Sequence, residues 1–303
     1  MNRWLFSGLV ILATSLMGSS FAIGKMGLGY SSPILLVAFR FTIAGALMGI
    51  LVKFFKQPHP KEMSEWGKIA IIGLFQTTGV MACIFLSLQT INAGESSILT
   101  FINPFLVVLL ATLFLKARYK FLQWLGVLMG FAGVFVTLGM SLQFKTGTLL
   151  GVGSAISWSI ATLLIKSWGH QINNWVLTAY QMLFGGLALL LLSFLLEEPF
   201  FVVTGKSVFI LLWLALMASI VQFGSWFTVL RIGDPGKTSA FLFLAPFFGV
   251  LSGWILLDER LSMQVLIGGL FIFSGIFLVN WSPSSKRDRE LEKAYSIRNE
   301  KFS

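Results

Sequence analysis

The chain alternates long apolar runs with short polar breaks, from its first residues to about position 281. A helix needs about 20 apolar residues to cross the hydrocarbon of a bilayer. Ten segments meet that length: 4–24, 33–53, 67–89, 93–115, 121–140, 147–166, 174–196, 207–230, 236–257 and 261–281. Glycine and proline inside several of them fit spans, because neighbouring helices satisfy the backbone groups they free. The breaks leave no room for a soluble domain. The pattern therefore predicts an all-α integral membrane protein with ten transmembrane helices. The first run has a signal peptide's look but is about 20 residues long and lacks a small-residue cleavage site before Lys25, so it is expected to stay as a helix.

The pattern also repeats. Ala93-Gly94-Glu95-Ser96-Ser97 through Asn103-Pro104-Phe105 aligns with Pro235-Gly236-Lys237-Thr238-Ser239 through Ala245-Pro246-Phe247, an offset of 142 residues. Gly126 and Gly133 pair with Gly268 and Gly275 at the same offset; upstream, Lys25 pairs with Lys166 and Arg40 with Gln181 at 141. The expected units are a first repeat over 4–140, a second over 147–281, and a polar, basic tail over 282–303. Each repeat carries five spans, and an odd number obliges the second copy to enter the membrane from the opposite side. The repeats are thus expected to be inverted about an axis in the membrane plane, the arrangement that lets two halves exchange conformations.

Composition and charge sharpen this picture. Hydrophobic residues make up 56% of the 303 and charged residues 11%, against about a quarter charged in soluble domains. The net charge is +10, but the basic residues cluster in loops and in the tail rather than forming a nucleic-acid stripe. With the N-terminus placed in the cytoplasm, 17 of the 22 Lys and Arg fall on that side and four on the other, and Arg40 lies within a span. The bias predicts both termini cytoplasmic in a multi-pass protein of the cell membrane. The single cysteine, Cys83, excludes an intramolecular disulfide.

Taken in order, the paired Ser96-to-Pro104 and Thr238-to-Pro246 segments, the Leu256-Leu257-Asp258-Glu259-Arg260-Leu261 turn and the glycine-spaced last helices resemble the EamA family, the ten-helix branch of the drug/metabolite transporter superfamily. The resemblance covers about residues 4–281. It implies a carrier in the inner or plasma membrane, often an exporter of amino acids or other small metabolites. It also implies a central cavity lined by the first, third and fourth helices of each half. One departure is clear: the first repeat has Leu115-Lys116-Ala117-Arg118-Tyr119 where the second has Leu257-Asp258-Glu259-Arg260-Leu261, so the acidic residue of that turn exists once.

Polar residues inside spans are costly and single out candidate sites. Arg40 either pins a neighbouring helix through backbone carbonyls or anchors a substrate carboxylate or phosphate with its paired donors; its mate Gln181 is neutral. Gln76, Thr77, Gln222 and Trp226 are candidates for the cavity lining, and Trp158 is an aromatic at depth. Asn103 stands before Pro104, and Pro104 and Pro246 are candidate hinges, because a proline frees a carbonyl one turn earlier. Glu95 is either a helix-terminal acid favoured by the dipole or a proton-coupling residue. Lys237 suits a positive-inside anchor.

No HExxH, GxSxG, Walker or CxxC pattern occurs, so the sequence predicts no enzyme, no cofactor and no metal site, with His59 and His170 placed in loops. The expected partners are a small-molecule substrate and the lipid bilayer, not nucleic acid. The glycine-rich helices suit packing within one chain or in a homodimer. The leading expectation is a secondary transporter exporting an amino acid or similar amphipathic compound by alternating access. A lipid-linked carrier or flippase and a multidrug exporter are alternatives of the same fold; a membrane receptor is a third.

Overall fold

The computed structural model describes residues 3–115, 119–137, 145–169, 172–232, 240–260 and 262–280. Residues 116–118 of the first-repeat turn, His170, Lys237 and the tail 282–303 lie outside the described residues.

Helices fall on each of the ten predicted segments. They are α1 (Arg3–Gly27), α2 (Pro33–Phe54), α3 (Met63–Ser87), and α4 in two pieces (Ala93–Thr100 and Asn103–Leu115). Then follow α5 (Phe121–Thr137), α6 (Thr146–Trp168), α7 (Asn174–Leu196), and α8 in three (Gly205–Ala215, Leu216–Val221, Gln222–Ile232). Last come α9 (Leu244–Leu257), entered through a 3-10 turn at Ala240–Phe243, and α10 (Met263–Asn280). Seven of these, α1 to α4 and α6 to α8, are long and apolar enough to cross a membrane; α5, α9 and α10 are shorter apolar helices.

Local chemistry sets the starts. Asn173 Oδ1 accepts from the N–H groups of Trp175 at 2.9 Å and Val176 at 3.3 Å, opening α7. Thr204 and Ser207 form a capping box at α8. Pro33 occupies the first turn of α2, where its missing N–H costs nothing. Outward-facing positions such as Leu47, Ile50, Leu191, Phe194 and Leu270 are exposed apolar side chains, a belt that lipid solvates and water does not.

Helices α2 and α7, and α5 and α10, cross at glycine. A Cβ on Gly45 of α2 would meet the backbone of Leu183, and one on Gly186 of α7 would meet that of Thr42. Likewise Gly126 of α5 abuts Gly275 of α10, and Gly133 abuts Gly268. Small residues let backbones approach where lipid offers no hydrophobic drive to association.

One end of the bundle is tied by charge. Lys25 Nζ, at the end of α1, lies 2.9 Å from Glu259 Oε1 and donates to the carbonyl of Ile91 at 2.8 Å. Glu259 also accepts from the N–H groups of Ala93 and Gly94, at 2.9 and 3.4 Å, so it sits on the positive N-terminus of α4. At the same end Glu197 accepts from the N–H groups of Ile34 and Leu35 at the start of α2. The α1–α2 and α7–α8 connections pair there through a bridge between Ser31 and Phe201. At the other end Asn173 donates to Gln57 at 3.1 Å, and His59 contacts the Tyr180 hydroxyl.

Candidate functional site

A cavity of about 560 Å³, counting its mouth, lies in the middle of the bundle. It is lined by Met17, Ser20 and Phe21 of α1, Arg40 and Phe41 of α2, Gln76 to Phe85 on one side of α3, Thr100 and Phe101 of α4, Trp158 of α6, and Gln222 and Phe223 of α8. Of the candidates, Arg40, Gln76, Trp158 and Gln222 come together here. Thr77, Asn103 and Trp226 are not in the lining: Thr77 donates its hydroxyl to Gln181 Oε1 at 2.8 Å, and the carbonyl of Asn103 accepts from Ser159 at 3.1 Å. Glu95 stands in the first turn of α4, away from the cavity, where the Thr148 hydroxyl approaches its Oε1 at 3.4 Å.

Two π turns shape the walls. One covers Leu74–Gly79 in α3, the other Leu216–Val221 in α8, and 216 − 74 gives the repeat offset of 142. A π turn inserts a residue and disturbs the carbonyl ladder, and such turns collect at functional sites. Each is met by a polar side chain from across the bundle. Arg40 donates from Nη2 to the carbonyl of Ala218 at 2.8 Å and from Nε to Ser219 Oγ at 3.0 Å. Gln181 takes the hydroxyl of Thr77. Arg40 and Gln181 are repeat mates, and so are Ser219 and Thr77, so one contact is made twice. Arg40 thus pins a helix, and at 3% exposure it also lines the cavity.

The prolines sit differently from a mid-helix kink. α4 stops at Thr100 and restarts at Asn103, which puts Pro104 in the first turn of the new helix; Pro246 has the same place after Leu244 of α9. The break before Pro104 is set by a helix that ends and Pro246 follows a 3-10 turn; Pro is tolerated at both starts because first-turn N–H groups have no intrahelical acceptor.

Trp158 meets Phe101 edge-on with ring centroids 5.4 Å apart, and Phe21 packs on Phe101 at 6.3 Å. Gln222 is 3% exposed and its Nε2 has no protein partner. Among the described residues no three His, Cys, Asp or Glu come together.

Lys25, Glu259 and Glu197 are working residues that the sequence reading did not select. Glu259 had a signal, since its turn carries an acid in one repeat only. Lys25 and Glu197 stand at helix ends, where basic and acidic residues are ordinary, and their partners are distant in sequence.

This is the architecture of a polytopic membrane protein. The EamA-like transporter family model matches twice, over 5–139 and 145–281, and the chain belongs to that family. It is 28% identical over 281 residues to the uncharacterized transporter YvbV of Bacillus subtilis, covering 89% of this chain and 90% of that one. An uncharacterized transporter of Archaeoglobus fulgidus is 25% identical, over 92% and 99% of the two chains. A crystal structure matches with a TM-score of 0.65 at 22% identity, covering 90% of this chain and 97% of that one, a likeness of fold. The protein is a multi-pass membrane transporter and not an enzyme.

Proposed function

We propose that the chain is a secondary carrier of the cell membrane with ten spans in two inverted repeats, 4–140 and 147–281, and both termini cytoplasmic. It exports an amino acid or similar amphipathic compound by alternating access around the central cavity. The observation that carries this reading is the cavity itself, walled by both halves, at the first π turn and just past the second, and lined by Arg40, Gln76, Trp158 and Gln222. Reciprocal contacts support the inversion: Arg40 with Ser219 and Gln181 with Thr77, Gly45 with Leu183 and Gly186 with Thr42, Gly126 with Gly275 and Gly133 with Gly268. Exchanging the halves maps each contact onto its partner, as a twofold axis would. Family membership supports the carrier role, and the outward direction follows the family resemblance.

The reading is tested in liposomes holding the purified protein, by counterflow of labelled amino acids and related amphipathic compounds. Saturable trans-stimulated uptake is expected. A panel that gives none overturns the carrier mechanism. Cysteines placed singly at Gly29 and Gln57 are expected to label from opposite sides of intact cells, and labelling from one side overturns the topology.

A further inference from the structure

Among the described residues, the cavity lining holds one cation, Arg40, and no anion. Arg40 is buried, and its guanidinium carries five N–H donors and no acceptor. Its Nε and Nη2 bond to neutral acceptors on α8. The ion pair found among the described residues joins Lys25 to Glu259, at the end of the bundle, and no Asp or Glu lines the cavity. A buried charge without a counter-ion is unfavourable, and a ligand that brings the counter-charge relieves it. A second donor in the lining, Gln222 Nε2, has no hydrogen-bond partner among the described residues. Gln222 follows Ser219, which Arg40 holds, by three residues on α8, and Arg40 and Gln222 line the same cavity. Six rings, Phe21, Phe41, Phe85, Phe101, Trp158 and Phe223, also line it.

Resting on the carrier reading above, we propose that this site is built for an aromatic carboxylate anion without an ammonium group. The carboxylate sits against Arg40 and Gln222, and the ring lies among the six aromatic side chains. An amino-acid zwitterion brings an ammonium into a cavity that offers it a like charge and no carboxylate.

Three ligands that share a benzyl group separate the classes: phenylacetate as anion, phenylalanine as zwitterion, phenethylamine as cation. Equilibrium binding of the radiolabelled compounds to the full chain in detergent is expected to rank phenylacetate at least tenfold tighter than phenylalanine, with phenethylamine unable to compete. Gln222→Leu removes the second donor and weakens phenylacetate about fivefold while keeping the order. Gln222→Glu supplies the missing anion, weakens phenylacetate at least tenfold and admits phenethylamine. Phenylalanine bound as tightly as phenylacetate, an order unmoved by Gln222→Glu, or no binding of phenylacetate overturns the proposal. Counterflow of the same compounds separates this from the carrier reading. Flux of other solutes without the phenylacetate preference overturns the anion site alone. The expected binding order without flux of any compound upholds the site and overturns the carrier mechanism.

Discussion

The two halves of the molecule make the same helix contacts but do not carry the same charges. Across α2 and α7, Arg40 reaches the second π turn and Gln181 meets the first. The geometry is shared, yet one half lays a cation in the cavity wall and the other an amide. At the bundle ends the difference is sharper. Lys25 and Glu259 pair at one end; their mates are Lys166, which is exposed, and Ala117, which has no charge. The helix contacts are duplicated, and single differences at mated positions make the two halves unlike in charge. Among the described residues the ion pair stands at one end alone, so the two ends of the bundle are not tied equally.

The largest expected effect comes from breaking the unmatched tie. Glu259→Ala strips Lys25 of its partner and two α4 N–H groups of their acceptor, and the expected loss is about 3 kcal/mol, the low end for a buried pair because Lys25 keeps some access to solvent. Thermal unfolding in micelles reads it, and an unchanged midpoint would remove the tie from the comparison. Next come the matched crossings. Gly45→Val and Gly186→Val each force a side chain into the facing backbone, and each is expected to cost about 1–3 kcal/mol by overpacking. Similar losses sharpen the two-fold reading; a large inequality breaks it. Arg40→Gln makes the first half copy the second. It retains a hydrogen-bonding group for Ser219 and is expected to cost about 1 kcal/mol of stability while abolishing binding of a carboxylate ligand. Stability and ligand binding measured on the same preparation separate the two roles. The smallest effect belongs to Lys166→Ala, expected within about 0.5 kcal/mol of the parent because the residue is exposed, whereas Lys25→Ala lowers the unfolding midpoint.

Much of this was legible in the residues because apolar length and duplication are local properties. The helix limits of α2, α4 and α7 fall within a residue of the predicted segments. The mating of Arg40 with Gln181 came from counting alone. The π turns were not legible: Gln76-Thr77-Thr78 reads as a polar patch on an ordinary helix, and Leu216–Val221 carries little polarity to mark it. Their extra residue is fixed by what crosses the bundle to meet them. The bonds between Lys25 and Glu259, and between Glu197 and the start of α2, join positions 234 and more than 160 residues apart. No spacing rule reaches that far. The cavity was half legible, since the polar candidates were named but the sequence could not say that Thr77 spends its hydroxyl on Gln181.

The π turns also have a mechanical meaning. Each stores one residue of slack in a membrane helix. Drawing that residue into a regular α-helix would turn everything beyond it by roughly 100° and advance it by about 1.5 Å. Gln76 lies within the first turn and Gln222 directly after the second. A small change in winding at the second turn would therefore swing the Gln222 amide by more than a quarter of a revolution, and the α2–α7 and α5–α10 glycine crossings, which do not involve α8, would stay in place.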